Sequence, residues 1–192
     1  MKYELVMDDT IEVDGHILHR IRALKDFDEI KKGDLGGYIE KEINLSQHGH
    51  CWIYDNACVY GDAEVRDRAL VMNHAHVFGK VKILDSSRVG GYAKIFDNAC
   101  IRNYSCVFGE AVICDDAFIS NDNDYFFTKG IGYSGGLTFF RCISNCNVRV
   151  ISHGSISQTL QQFEKDILAN YVRKEEYVIL IAIAKIHFQI RY

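Results

Sequence analysis

Between Cys51 and Asp122 apolar and polar positions recur with a period of six, and the segment divides into twelve complete units without an insertion. The first place of each unit holds Cys51, Ala57, Ala63, Ala69, Ala75, Val81, Ser87, Ala93, Ala99, Ser105, Ala111 and Ala117, all small. The third place is always Val or Ile, from Ile53 and Val59 through Val65, Val71 and Val77 to Ile119. The fifth place is always Asp, Asn or Gly, the residue types that accept a left-handed or turn backbone.

That pattern predicts a structure directly. Two residues two apart share one face of a short strand, and a turn-former two places later bends the chain before the next strand. A small residue beside a branched one suits a narrow interior. One unit cannot bury its apolar face alone, so successive coils must stack, and the array is predicted to be a solenoid.

The residues that carry this pattern also carry a resemblance. Segment 51–122 resembles the hexapeptide-repeat, left-handed parallel β-helix family, in which an aliphatic residue recurs every six places and three units make one triangular coil. The left hand is implied by the resemblance, since parallel crossovers are in general right-handed. This chain departs from that family after the aliphatic place, where Tyr60, Arg66, Phe78 and Phe96 replace the more usual small or acidic types.

With eighteen residues per coil, residues eighteen apart lie above one another, and four regular coils at about 4.8 Å each give a prism on the order of 20 Å tall. The second and fourth places then point outward. One wall collects Trp52, Tyr54, Leu70, Met72, Arg88, Gly90, Cys106 and Phe108, and is largely apolar. The next carries Tyr60, Phe78 and Phe96 as an aromatic ladder, with His76 beside them. The third, with Glu64, Arg66, Lys82 and Arg102, reads as solvated. Two apolar walls on a slender prism need cover. Family members commonly pack as trimers, so a homo-oligomer is expected, a trimer before a dimer, with one wall at the interface and the other partly under the C-terminal helices.

The flanks read as caps. Residues 1–44 form an N-terminal β-hairpin cap, turning at Asp14-Gly15, and a lead-in loop, "KKGDLGGYIE". The β-helix is expected over 45–122. Residues 123–192 read as an α+β tail: a polar break, a linker loop "GIGYSGG", a hairpin turning near Asn145 and two helices, a ββαα unit. Thr159 and Gln162 stand at capping-box spacing for the first helix, and the last helix, about 174–188, is apolar on nearly all sides and expected to be buried. The whole chain also resembles uncharacterised β-helix proteins of bacteriophages and prophages, whose motifs carry no known chemistry.

Composition narrows the classes. A formal charge of -4 over 192 residues, with no Lys/Arg run, argues against groove binding to DNA or RNA. No stretch is long enough to span a bilayer, and no secretory leader pattern opens the chain, so the protein is expected in the cytosol. Seven scattered cysteines give no disulfide framework, and Cys142 and Cys146 lack the second pair that structural zinc requires.

Three chemistries compete. Acyl transfer from acetyl-CoA, the best-known activity of the hexapeptide-repeat family, would use His76 as general base, but no loop protrudes between units to shape an acceptor pocket. Metal binding through His48, His50, His74 and His76 is disfavoured because His48 and His76 belong to different walls. The favoured reading is a non-catalytic binding protein without a cofactor, acting within an oligomer on a host defence protein or on a small nucleotide signal. Protein capture would use Trp52, Tyr54, Leu70, Met72, Phe108, Tyr60, Phe78 and Phe96. Nucleotide capture would need Arg66, Arg88 or Arg102 to converge in a groove.

Overall fold

The structure is a computed structural model that describes residues 1–130, 136–143, 147–152, 157–170 and 174–190. Two long strands, β1 (Tyr3–Val13) and β2 (His16–Ala23), open it as a hairpin, followed by β3 (Leu35–Ile39). Twelve two-residue strands, β4 to β15, then occupy the second and third places of the twelve units: Trp52–Ile53, Cys58–Val59, Glu64–Val65, Leu70–Val71, His76–Val77, Lys82–Ile83, Arg88–Val89, Lys94–Ile95, Cys100–Ile101, Cys106–Val107, Val112–Ile113 and Phe118–Ile119. Each of β4 to β12 pairs in parallel with the strand eighteen residues on, as in Leu70 with Arg88 and Arg88 with Cys106, and these pairings build three walls.

The inward places behave as their chemistry requires. Every first-place and third-place residue is at most 1% exposed. Burying one such Val or Ile contributes about 1.5–3 kcal/mol, so the interior stack is the main source of stability. Ser87 and Ser105 stand where most units have Ala, and each hydroxyl is satisfied, donating to the Leu84 carbonyl at 2.6 Å and to the Arg102 carbonyl at 2.7 Å.

The corners explain the fifth place. Eleven of its twelve residues, from Asp55 to Asp115, have φ between 55° and 76°. The acidic ones also tie coils together: the amide of Asn73 donates to Asp55 at 2.9 Å, that of Asp85 to Asp67 at 3.1 Å, and that of Asn103 to Asp85 at 3.0 Å, each eighteen residues apart. Gly79 is tightly placed as well as left-handed, because a Cβ there would lie 3.0 Å from both the amide nitrogen and the carbonyl oxygen of Asp97.

The solenoid extends one irregular turn above the repeat. Ile39 pairs with Val59 and Leu45 bridges Val65, each twenty residues apart instead of eighteen. Two extra residues in "SQHGH" cause that offset. With this turn the solenoid has about five coils.

The N-terminal hairpin turns at Asp14-Gly15, both with positive φ (52° and 81°), and extends one wall as β1-β2-β3-β5-β8-β11-β14. Its tip also folds over the upper ladder. Leu18, Tyr38, Cys58 and Tyr60 form a small buried cluster, and the Tyr60 hydroxyl donates to Asp14 at 2.9 Å.

Here the structure corrects the expectation that the C-terminal helices cover a prism wall. The cover on the ladder is the hairpin. The tail instead closes the last coil: β16 (Tyr125–Lys129), β17 (Gly136–Arg141), β18 (Val148–Ser152) and β19 (Gln158–Thr159) form an antiparallel sheet, β17 lies against β14 and β15, and Thr138 Oγ1 accepts from the Val112 amide at 2.9 Å. The expected hairpin is therefore present as β17 and β18, with one further strand on each side. Most of the expected linker loop, and the turn at Asn145, lie outside the described residues.

Helices α1 (Leu160–Asn170) and α2 (Lys174–His187) pack on this sheet through Leu160, Phe163, Ile167, Tyr177, Leu180, Ile181 and Ala184. Thr159 Oγ1 accepts from the Gln162 amide at 3.1 Å and caps α1. Helix α2 is not buried all round. Ile179, Ile183 and Ile186 are 62%, 46% and 78% exposed, because α2 lies in the outermost layer with the sheet on one side.

Candidate functional site: a groove on the first wall

A ligand-sized groove of about 760 Å³ runs along the first wall. Its floor is the second-place column Leu70, Arg88 and Cys106, in register on β7, β10 and β13. One rim is the corner column Arg68, Ser86 and Tyr104, eighteen residues apart. The loop Phe27 to Ile30, which the Phe27–Ile30 bridge holds as a tight turn, reaches that column through Asp28 and lines the groove together with Tyr54 and His50.

Charges in the groove are partly committed. Asp28 takes His50 Nδ1 at 2.7 Å and Arg68 at 3.5 Å. The Arg88 side chain is exposed, and its guanidinium makes no ion pair or hydrogen bond among the described residues. Burial raises the Tyr54 phenol above its usual range, with Glu29 and Asp28 adding to the rise and Arg88 opposing it. Burial likewise raises the Cys106 thiol above its usual range, with Asp122 adding to the rise and Arg88 opposing it. Tyr104 is 83% exposed on the rim. The groove thus presents one free guanidinium, a second at its rim, two phenol rings and two carboxylates.

The predicted binding residues separate. Trp52 is 1% exposed, held edge-on by Phe27 at 5.4 Å and Tyr3 at 6.4 Å, and belongs to the top cap. Tyr54 and Leu70 line the groove. Met72 and Phe108 sit in the next column, where the Phe108 ring and the Met72 side chain cover Gly90. On the second wall the ladder forms as spaced in the sequence, Tyr60 on Phe78 at 5.0 Å and Phe78 on Phe96 at 5.2 Å, both nearly parallel. Tyr60 itself is 2% exposed under the hairpin tip. Of the three arginines weighed for nucleotide capture, Arg66 pairs with Glu64 and Arg102 with Asp85, and only Arg88 enters the groove.

Arg68 and Tyr104 were missed because they occupy sixth places, at the corner, where the sequence reading did not look. Their spacing of eighteen, continued through Ser86, is a signal that could have found them. The same applies to Tyr92, which stacks on His74 at 4.9 Å.

His74, His76, Tyr92, Lys94 and Glu110 line a second, smaller hollow of about 470 Å³. Burial lowers the His76 imidazole below its usual range, and the Lys94 ammonium adds to the effect. His76 is therefore kept neutral, the form a general base needs. The two His-x-His pairs do not converge: His50 is held by Asp28 and His74 by Tyr92. Among the described residues the groups close enough to share an ion are Asp97, Cys114 and Asp115, and there Arg149 already pairs with Asp115 at 3.2 Å. Cys142 is a free, buried thiol, and Cys146 lies outside the described residues.

The fold defines the class: a left-handed parallel β-helix with stacked six-residue units and a C-terminal α+β tail. No family model matches the chain. A segment of 50 residues, 26% of the chain, is 44% identical to a protein of Escherichia coli (strain K12) described as an uncharacterized acetyltransferase, YdcK, and the match spans 15% of that protein's length. No helix is long and apolar enough to cross a membrane among the described residues.

Proposed function

We propose that this protein is a non-catalytic binding module that takes a nucleoside phosphate into the first-wall groove. The observation that carries this reading is Arg88, a guanidinium without a partner among the described residues, set in a groove with Tyr54 and Tyr104. A guanidinium fork matches phosphate oxygens, and phenol rings offer stacking surfaces to a base. Asp28 and Glu29 accept from donors such as sugar hydroxyls or a base amino group, which favours a nucleotide over a bare inorganic anion. In this reading the protein works as a homo-oligomer, a trimer first, and withdraws a nucleotide signal from a host defence factor in the cytosol.

The test is a calorimetric screen of mononucleotides, dinucleotides and their cyclic forms against the purified chain, repeated with Arg88→Ala. Binding of at least one nucleotide that weakens at least tenfold in the variant supports the reading. Equal binding in both proteins, or none across the panel, rejects it.

A second reading has its own support in the partial likeness to an uncharacterized acetyltransferase and in the neutral, half-buried His76. It is acyl transfer from acetyl-CoA with His76 as general base. Thiol release from acetyl-CoA in the presence of candidate amine or hydroxyl acceptors, abolished by His76→Ala, would establish it in place of the first.

A further inference from the structure

The capped top of the prism holds a side-chain pair that neither reading uses. Lys2 is 1% exposed, and its Nζ donates to the Cys51 carbonyl at 2.8 Å and meets Cys51 Sγ at 3.2 Å. Cys51 occupies the first inward place of the repeat and is 0% exposed. The ammonium has no carboxylate among its partners. Its third neighbour is the Phe27 ring, 5.5 Å from Nζ. Around the sulfur the remaining contacts are the carbonyls of Ser46 and His48 at 3.6 and 3.7 Å, which accept a proton but cannot react with an electrophilic sulfur. The neighbourhood is fixed from both ends: Gln47 Oε1 accepts from the Lys2 amide at 2.7 Å, and the Tyr3 hydroxyl donates to the Leu45 carbonyl at 2.7 Å.

We propose that Lys2 and Cys51 form an oxidative cross-linking site, at which a peroxide converts the contact into a covalent bond between Nζ and Sγ. In the first step hydrogen peroxide oxidises the thiol to a sulfenic acid, and the peroxide is reduced to water. In the second the Nζ lone pair attacks the sulfur. The S–OH bond breaks, and hydroxide leaves with the proton released by nitrogen as a second water, giving a sulfenamide. The pair loses two hydrogens in all. A further peroxide oxygen inserted between the atoms gives the N–O–S form, again with release of one water.

Position favours this product over others. The amine is the nucleophile in contact with the sulfur, no disulfide is formed by the described cysteines, and both side chains are ordered by the cap. Burial lowers the Lys2 ammonium from its usual range, which favours the neutral amine needed for attack. Burial raises the Cys51 thiol, and the Lys2 charge opposes that rise. The bond would tie two residues 49 apart and lock the N-terminal hairpin onto the first coil. A thiol reductant would release it.

The test is peptide mapping of the full-length chain after treatment with dithiothreitol or hydrogen peroxide. Expected is a cross-linked peptide joining Lys2 to Cys51, lighter by two hydrogens than the sum of its parts or heavier than that by one oxygen, and absent after reduction. The thermal midpoint of the oxidised chain should rise by several degrees above that of the reduced chain. Cys51→Ala, which installs the residue found at most other first places, should fold and show no peroxide-dependent rise. Sulfinic or sulfonic acid at Cys51 with Lys2 unmodified, or an unmodified Cys51 at a peroxide dose that oxidises the more exposed Cys106, would overturn the proposal.

Discussion

Phe78 lies between two parallel rings, Tyr60 at 5.0 Å and Phe96 at 5.2 Å, because all three occupy the fourth place of units exactly one coil apart. A six-residue sequence rule is thereby converted into a side-chain column. The column predicts an ordering: Phe78→Ala, which breaks two ring pairs, should cost more than Phe96→Ala, which breaks one. At about 0.5–1.5 kcal/mol for each pair beyond area burial, the difference should be of that size by chemical denaturation. Equal losses would count against the column.

The corners predict a second ordering. Gly79→Ala should destabilise by more than about 1 kcal/mol, since the residue has positive φ and its new Cβ would press on the Asp97 backbone. Ile95→Ala, which empties part of the interior stack, should cost about 2–5 kcal/mol. Urea midpoints for the two variants would check both.

The hairpin tip gives a third. Tyr60→Phe removes the hydrogen bond to Asp14 and should cost about 0.5–1.5 kcal/mol while leaving the stacked rings in place. Amide exchange at the 12–18 turn should accelerate in the variant, and an unchanged rate would mean that the tip is held by other contacts.

His76 gives a pH signature. Its imidazole is held below the usual value by burial, so as pH falls below about 6.5 the unfolded chain takes up a proton that the folded chain resists. The unfolded state then binds more protons, and stability falls with pH until the folded value is reached. His76→Gln should remove this part of the acid loss, seen as a flatter unfolding free energy between pH 7 and pH 5. A variant with the same slope as the parent would show that other groups carry it.

How much of this could be read beforehand follows from where each feature lies. The inward and corner places are set within single units, so Ala75, Val77 and Gly79 reveal strand, wall and turn without any long-range information. What covers each wall is decided by segments far away in sequence. Tyr60 meets Asp14 from the hairpin tip, and Trp52 meets Phe27 from the lead-in loop, and nothing in the repeat specifies either contact. An irregular first coil was legible at residues 45 to 50, but two extra residues before Cys51 shift Ile39 and Leu45 out of phase although they are six apart, which hid their place in the wall. Helix α2 is apolar on most sides, and its sequence does not distinguish the face that meets the tail sheet from the face with Ile179 and Ile186. The groove was half legible: Tyr54, Leu70 and Arg88 fall on one outward wall, whereas Arg68 and Tyr104 lie at a corner and Asp28 comes from outside the repeat.

The central claim is that the first-wall groove takes a nucleotide through Arg88, and isothermal titration of the tightest nucleotide from the panel against parent, Arg88→Ala and Tyr104→Ala chains tests it most directly. The account predicts saturable binding by the parent that weakens as salt is raised, at least a tenfold loss in Arg88→Ala and a smaller loss in Tyr104→Ala. Binding of equal strength in all three proteins would contradict it.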